Sequence, residues 1–310
     1  MNDSAEWQNS APARDFDTIS SRLHYRHGKL TATDGALELR TVLQPIFSVR
    51  HQRPVGCEAL IRGQDDQGRE IPAWRILERP SAHDELELDR LCATLHARNF
   101  SAIASERNWL FLNLSAAEFN LEAWADGFFP QLLAACHLAP HQLVVEILES
   151  PVSPRIDLAA VIDYFRALGV LVALDDFGAG HSNFERIWRL KPDIVKLDRS
   201  FIVSAERDRA MRRSLPSIVD ILHQFRCLVV AEGIETERQA ITAMDAGVDL
   251  VQGYFFAHPF EISDRFFRHR VEWSRLQHQL QDTVGSATLV SRDQLISHTA
   301  RMYAVVEHYR

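Results

Sequence analysis

Residues 227–252 read CLVVAEGIETERQAITAMDAGVDLVQ, and this stretch decides the fold. The apolar run Cys227–Ala231 is typical of a buried strand, and Leu250–Gln252 is a second candidate strand. Between them, Thr236–Ala246 has the pattern of a helix, which ends at Gly247. A strand, a helix and a strand in this order predict two parallel strands joined by a right-handed crossover.

The same alternation extends outward along the chain. Eight strands joined mostly by helices are enough to close a TIM-like (β/α)8 barrel, an α/β fold. The link at residues 51–54 is too short for a helical crossover, so the first two strands should form an antiparallel hairpin. The strands are predicted at Thr41–Val49, Gly56–Ile61, Trp109–Leu114, Gln142–Leu148, Leu171–Asp175, Ile194–Leu197, Cys227–Ala231 and Leu250–Gln252. Predicted helices include Leu86–Arg98, Leu121–Leu138, Ile156–Leu168, Asp208–Phe225 and Thr236–Ala246.

Both ends of the chain differ from the barrel. Residues 1–20 are polar and lack periodicity, so we expect a flexible polar leader, followed by the barrel at residues 21–281. Ser263–Gln281 has a helical pattern that would close the barrel. Residues 282–310 carry a further amphipathic helix, a C-terminal helical extension whose apolar face needs a partner. A homodimer is therefore expected.

The composition excludes several classes of protein. With 46% hydrophobic and 25% charged residues the chain is typical of globular proteins, and its net charge of -8 argues against nucleic-acid polymers and anionic membranes as partners. The N-terminus lacks the apolar run of a signal peptide, and no apolar stretch is long enough to span a bilayer. A soluble, cytoplasmic protein is expected. The four cysteines lack the spacing of a zinc or redox site.

Side chains that carry oxygen atoms stand at the carboxyl ends of the predicted strands. These ends meet on one face of a barrel, where barrel enzymes have their active sites. Crowded carboxylates need counter-charge, and oxygen ligands without Cys or His favour Mg²⁺ or Mn²⁺ over zinc. Two such ions about 3.5–4 Å apart are the usual device for in-line attack on a phosphodiester. The residues concerned are Glu58, Asn113, Glu146, Asp175, Asp176 and Glu232.

Lys196 stands at another strand end, where its ammonium could orient water or offset charge on a phosphate. Each of these polar residues has a structural alternative when taken singly. Asn113 and Glu146 could cap helices, and residues 175–178 could form a turn. Because core strands rarely tolerate unpaired carboxylates, the joint pattern favours a functional site.

Several motifs, in the same order along the chain, resemble those of the EAL domain family. Glu58-Ala59-Leu60 lies within LQPIFSVRHQRPVGCEALIRG, residues 43–63. Further matches follow over about residues 39–260: FLNLS, EILES, LDDFGAGHSNFERIWRLKPDIVKLDRSFI, VVAEGIETERQ and VQGYFFAHPF. The resemblance implies a TIM-like barrel with an antiparallel first strand, and hydrolysis of cyclic di-GMP to linear pGpG.

The resemblance also implies roles for individual residues. One of the two Mg²⁺ or Mn²⁺ ions in the site would be held by Glu58, Asn113, Glu146 and Asp175. The second would be held by Asp175, Asp176 and Glu232, and Ca²⁺ would inhibit. Catalytic roles fall to Lys196, Glu232 and Glu235. Substrate contacts are implied for Gln44, Leu60, Arg62 and Gln252. Glu149 would anchor the loop after the two aspartates.

Three residues depart from those common in the family: Leu148, Ala179 and His181. None of them is a ligand. Two other functions stay open: a catalytically idle EAL domain that acts as a cyclic di-GMP receptor or protein-binding regulator, and an unrelated metal-dependent barrel hydrolase. Idle relatives typically lack metal ligands, whereas every expected ligand is present here, which favours an enzyme.

Overall fold

A computed structural model describes residues 14–26, 28–78, 82–114, 127–148, 157–179 and 184–262, together with Val271, Trp273 and Leu276. The strands are β1 (Leu23–Arg26), β2 (Lys29–Asp34), β3 (Leu37–Ser48), β4 (Arg53–Gln64), β5 (Glu70–Ile71), β6 (Trp109–Leu114), β7 (Leu143–Leu148), β8 (Leu171–Phe177), β9 (Ile194–Leu197), β10 (Leu228–Ala231), β11 (Leu250–Val251) and β12 (Phe260–Glu261).

The described helices are α1 (Arg14–Ser21), α2 (Ala73–Leu77), α3 (Ala82–Ser101), α4 (Phe128–Cys136), α5 (Leu158–Leu168), α6 (Phe184–Leu190), α7 (Arg199–Arg207), α8 (Arg209–Gln224) and α9 (Glu237–Asp245). Side chains that accept backbone N–H groups fix where several of them begin. Asp198 caps α7, Asp208 caps α8, and Thr236 forms a capping box with Gln239 at α9. None of the described helices has the length and apolar character needed to cross a membrane.

Eight strands close into a barrel, which confirms the predicted fold class. Hydrogen bonds connect β4, β6, β7, β8, β9, β10, β11 and β3 in this order, and β3 pairs in turn with β4. Strand β3 runs antiparallel to both of its barrel neighbours, and the other pairs are parallel. The hairpin of the first two barrel strands is therefore confirmed.

The core has an inner and an outer part. Inside the barrel, a cluster that includes Ile46, Phe111 and Val144 fills the space between the strands. Two larger clusters lie between the strands and the surrounding helices. This arrangement leaves room for polar side chains only at the two open ends of the barrel.

The expected flexible leader at residues 1–20 needs a correction over its last seven residues. Helix α1 occupies Arg14–Ser21, and its Phe16 and Ile19 side chains are 7% and 3% exposed. Phe16 contacts Phe128 at the start of α4, with ring centroids 5.9 Å apart. Two apolar residues three positions apart are enough to bury one face of a short helix. Residues 1–13 lie outside the described residues.

The C-terminal region is described only in part. Trp273 and Leu276 are buried, and the Trp273 ring lies 6.3 Å from Phe47 and 5.6 Å from Phe256. At these two positions the segment packs on the outside of the barrel. The predicted amphipathic helix in residues 282–310 lies outside the described residues, so the homodimer stays a prediction.

Asp249 holds the amino-terminal end of the barrel together. Its side chain is fully buried and accepts hydrogen bonds from the Val229 amide and from His223 Nε2, both at 2.8 Å. We expect Asp249→Ala to lower the free energy of unfolding by about 2–4 kcal/mol, because a buried amide donor loses its acceptor. Urea denaturation measures this. An unfolding free energy equal to that of wild type would contradict this role.

His96 is a second buried polar residue. It lies on α3, 2.8 Å from the Thr41 hydroxyl, which also accepts a hydrogen bond from Asn99. Burial lowers the pKa of His96 from its ordinary 6.5 to about 3. The folded protein therefore keeps this imidazole neutral at a pH where the unfolded chain is protonated.

This histidine should make the fold sensitive to acid. Its contribution to stability is complete above pH 6.5 and is lost as the pH falls from 6.5 toward 3, because only the unfolded state binds the proton. His96→Gln cannot titrate and should remove this part of the pH dependence. Unfolding free energies at pH 7 and pH 5 measure the difference. Equal pH dependence in the two proteins would show that His96 does not contribute.

Candidate active site

Side-chain alternation along the strands builds the site. Residues two apart share one face of a strand, so a polar residue placed two positions after an interior apolar residue lies directly above it. At five strands, an apolar residue of the interior cluster is followed two positions later by a polar or charged residue. The pairs are Phe111 and Asn113, Val144 and Glu146, Ala173 and Asp175, Ile194 and Lys196, and Val230 and Glu232. The polar members form the layer at the carboxyl end of the barrel.

Asp175 and Asp176 both contribute to the site although they are adjacent, and neighbours in a regular strand point to opposite faces. The pairing of β8 with β9 shifts register between Leu174 and Phe177, and Asp176 has a φ of 55°. This irregularity turns the Asp176 carboxylate toward the site. Ligand oxygens of Asp175, Asp176 and Glu232 consequently lie within 4.8 Å of one another.

Lys196 stands at the centre of the acidic residues and is 1% exposed. Its Nζ atom pairs with Glu146, and it lies 2.7 Å from Glu232, 3.1 Å from Asp175 and 3.7 Å from Glu58. The interior of a protein strengthens such ion pairs but makes the unpaired ions costly. The sequence predicted that Lys196 would lie at this end of the barrel, and the structure brings it together with the predicted carboxylates.

The pKa values of the cluster follow from burial and mutual repulsion. Burial raises the pKa of Glu146 well above its ordinary value, and Lys196 only partly offsets this effect. Burial likewise raises the pKa of Glu232 to about 8 and, with the charge of Asp175, raises the pKa of Asp176. For Lys196, burial lowers the pKa, but the surrounding carboxylates outweigh it and the net shift is strongly upward.

The donor set fits divalent cations. Five carboxylates, those of Glu58, Glu146, Asp175, Asp176 and Glu232, face the single ammonium of Lys196 in the cluster that the described residues form. In addition, the Glu146 Oε2 and Gln252 Oε1 atoms are buried without a hydrogen-bond partner. Orphaned buried oxygens and excess negative charge are both satisfied by a hard cation such as Mg²⁺ or Mn²⁺.

Glu58 is oriented by two amide side chains. Asn113 Nδ2 donates to its Oε1 atom at 2.9 Å, and Gln252 Nε2 donates to its Oε2 atom at 2.7 Å. These contacts join β4, which carries Glu58, to β6 and to the residue that follows β11. The predicted ligands Glu58 and Asn113 are thus adjacent, and Gln252 lies beside them.

The predicted substrate-contact residues line the same end of the barrel. Glu58, Leu60 and Arg62 share one face of β4, and the Cα of Gln44 pairs with that of Glu58 across the hairpin. Gln44 is 9% exposed, and its Nε2 atom lies 3.5 Å from the Ala257 carbonyl. The Arg62 Nη1 atom donates a hydrogen bond to the Ile61 carbonyl at 2.8 Å.

Glu235 has a partner that the sequence analysis missed. Arg199, the first residue of α7, holds the Glu235 carboxylate through both guanidinium nitrogens, with Nη2 2.6 Å from Oε2. One signal was available in the sequence: Arg199 stands three residues after Lys196, which places it near the same end of the barrel. Glu149 and His181 lie outside the described residues. Ala179 is exposed, and its amide donates to the Asp176 carbonyl at 3.1 Å, a contact that does not depend on its side chain.

Comparisons with known proteins agree with this geometry. Residues 31–259 match the family model of the EAL domain. The probable cyclic di-GMP phosphodiesterase PdeD of Escherichia coli K12 is 27% identical over 230 residues, which are 73% of this chain and 42% of that protein. The cyclic di-GMP phosphodiesterase NbdA of Pseudomonas aeruginosa is 30% identical over 244 residues, 74% of this chain and 30% of that protein.

Two solved structures extend the comparison. The PaMucR phosphodiesterase in complex with c-di-GMP is 26% identical with a TM-score of 0.63, over 72% of this chain and 92% of that one. BlrP1 of Klebsiella pneumoniae, in its manganese and cyclic di-GMP complex, is 26% identical with a TM-score of 0.62, over 71% and 56% of the two chains. The present chain spans less than half the length of PdeD.

Proposed function

The chain belongs to the EAL domain family, and from this premise we propose that it is a metal-dependent phosphodiesterase that hydrolyses cyclic di-GMP to linear pGpG. One observation carries the proposal: every acidic residue expected to bind metal lies in a single cluster around Lys196. PdeD and NbdA bear the names of cyclic di-GMP phosphodiesterases. Because the proposed substrate is a nucleotide second messenger, the proposed place of action is the cytoplasm.

The proposed ligands divide into two sets that share Asp175. The first cation would be held by Glu58, Asn113, Glu146 and Asp175, and the second by Asp175, Asp176 and Glu232. When bound, divalent cations polarise a phosphoryl oxygen and lower the pKa of water. The two ligand sets meet where carboxylate oxygens already lie within 4.8 Å of one another.

The remaining residues would orient the reactants. The Lys196 ammonium is held by buried carboxylates, and it would orient the attacking water and offset the charge that develops on the phosphate. Glu232 and Glu235 would complete the catalytic set. Gln44, Leu60 and Arg62 line one side of the barrel mouth, where they would bind the substrate. The Arg62 guanidinium suits a phosphate oxygen, and Gln252 would bind substrate while it holds Glu58.

Calcium should inhibit this enzyme. Its bonds to oxygen are longer than those of Mg²⁺ or Mn²⁺ and its coordination is looser, so the attacking water would be misplaced. We expect Ca²⁺ added at equal concentration to reduce turnover measured in Mn²⁺, and excess Mn²⁺ to restore it. Turnover in Ca²⁺ alone that equals turnover in Mn²⁺ would contradict a site that demands strict geometry.

A receptor without catalytic activity is the alternative function, and the complete ligand set argues against it. Initial rates on cyclic di-GMP, cyclic di-AMP and a simple aryl phosphodiester test the proposal and its specificity. The chain should first be freed of metal with a chelator and then given Mn²⁺ or Mg²⁺. A rate much higher on cyclic di-GMP than on the other two is expected. Equal rates on all three would favour an unspecific hydrolase.

The proposed homodimer can be tested on the same protein. Light scattering on a chain that ends near Gln281 should give a monomer that retains turnover, because the predicted apolar face in residues 282–310 would be absent. An unchanged oligomer would refute an interface in this segment.

A further inference from the structure

Helix α7 contacts the two segments that carry the second proposed ligand set, Asp175, Asp176 and Glu232. It begins two residues after the end of β9, the strand of Lys196. Its Ile202 and Ala205 side chains are buried in the outer core, so one face of the helix is fixed. Arg199 and Phe201, in its first turn, reach the two ligand loops. The first loop follows β10 and carries Glu232, and the second ends β8 and carries Asp175 and Asp176.

Arg199 holds the Glu232 loop in two ways. Its side chain lies against Gly233, where a Cβ atom would come within 2.7–2.9 Å of the Arg199 Cβ, Cγ and Cδ atoms. Beyond this contact, its guanidinium forms the bidentate ion pair with Glu235. This ion pair is half exposed and therefore adds little to the free energy of unfolding. Its two parallel hydrogen bonds nevertheless fix the orientation of the Glu235 carboxylate relative to Arg199. Arg199 thus packs on Gly233 and pairs with Glu235, the first and third residues after Glu232.

Phe201 holds the aspartate loop. Its ring is stacked on that of Phe177, with an interplanar angle of 6° and centroids 6.1 Å apart. It also occupies the space over Gly178, where any Cβ would collide with the ring. Gly178 has a φ of 104°, and Asp176 has a φ of 55°, so this loop is in a conformation that most residues avoid. Contacts from outside the loop must therefore hold it.

We propose that Arg199 and Phe201 are positioning residues that together set the spacing of the Asp175, Asp176 and Glu232 carboxylates. The inference rests on the proposed function only in assuming that these carboxylates bind a divalent cation. One short helix turn thus connects two ligand loops that lie 57 residues apart in sequence, counted from Asp175 to Glu232. Neither side chain belongs to the ligand sets proposed above.

Calorimetric titration of the full, metal-free chain with Mn²⁺ tests this without any measurement of turnover. Arg199→Ala and Phe201→Ala should each weaken Mn²⁺ binding by about 10- to 100-fold, the usual effect of losing an outer-shell partner. The direction of the change for Arg199 is decisive. Removing a nearby positive charge would by electrostatics alone strengthen the binding of a cation, whereas loss of positioning weakens it.

Matched variants separate positioning from general damage. Arg209→Ala alters an exposed arginine at the start of α8, and Phe225→Ala alters an exposed phenylalanine just after its end. Both variants should leave Mn²⁺ affinity unchanged. Phe201→Leu keeps much of the bulk over Gly178 and should retain most of the affinity. Arg199→Lys keeps the positive charge but lacks the two parallel donors of the guanidinium. Its Mn²⁺ affinity should therefore lie between those of wild type and Arg199→Ala. If Phe201→Ala does not fold, the comparison of Arg199→Ala with Arg199→Lys still decides.

The outcomes distinguish this inference from the proposed function. Wild-type affinity for Mn²⁺ in Arg199→Ala and Phe201→Ala would overturn the positioning roles and leave the proposed function intact. Stronger binding in Arg199→Ala would show that its charge, not its contacts, acts on the site. A wild-type chain that binds no Mn²⁺ would overturn both.

Discussion

Asp175→Asn should abolish hydrolysis of cyclic di-GMP while the fold stays intact. Asp175 is the residue shared by both proposed ligand sets, and it also lies 3.1 Å from the Lys196 ammonium. The amide removes one negative charge and one ligand oxygen from a site that needs both to balance two divalent cations. Turnover in Mn²⁺, with circular dichroism as the measure of folding, tests this expectation.

Asp245→Asn is the matched control for Asp175→Asn. Asp245 is an exposed aspartate at the end of α9, near Arg212 and outside the cluster. Its variant should keep full turnover, because the same chemical change leaves the proposed ligands untouched. Turnover close to that of wild type in Asp175→Asn would contradict the two-metal site.

Lys196→Ala should remove catalysis while binding of metal and nucleotide largely persists. The ammonium would act on water and on developing phosphate charge, and losing one such electrostatic contact costs about 10²- to 10³-fold in turnover. The four carboxylates that pair with Lys196 become free, so Mn²⁺ should bind at least as tightly as in wild type. Calorimetry with Mn²⁺ and with cyclic di-GMP in Ca²⁺ separates binding from chemistry.

The metal-free Lys196→Ala protein should also be less stable than wild type at neutral pH. Buried carboxylates lose their counter-charge, and breaking such a cluster costs about 3–5 kcal/mol. Adding Mn²⁺ should restore much of the stability. Lys29→Ala, which removes an exposed lysine paired with Glu261, is the control and should change neither property. If Lys196→Ala loses cyclic di-GMP binding in parallel with turnover, Lys196 instead binds the substrate directly.

Much of the fold could be predicted because barrel strands are short apolar runs that alternate with longer helical patterns. Trp109–Leu114 and Ile194–Leu197 were predicted with the bounds that the structure shows, and Glu146 and Lys196 were predicted at the carboxyl ends of their strands. Strands such as β5 and β12 were missed, since a two-residue strand has no pattern of its own and exists only through its partner. Strand β12 pairs with β3 across more than 200 residues.

The sequence could not reveal how the site is held. The register shift between Leu174 and Phe177 exists only in the pairing with β9, and the ring of Phe201 stacks on Phe177. Neither contact is visible in the letters of the Asp-Asp-Phe-Gly segment. The ion pair of Arg199 and Glu235 joins residues 36 positions apart. Local patterns predict elements, whereas contacts between distant elements require the folded structure.

If the acidic cluster hydrolyses cyclic di-GMP with the help of divalent cations, product formation must depend on added metal. Chromatography of the nucleotides after incubating the metal-free chain with cyclic di-GMP, with and without Mn²⁺, tests it most directly. Linear pGpG is expected only when Mn²⁺ is present, with no further product once a chelator is added. Cyclic di-GMP that binds in the presence of Mn²⁺ and is recovered intact would contradict it and leave a receptor.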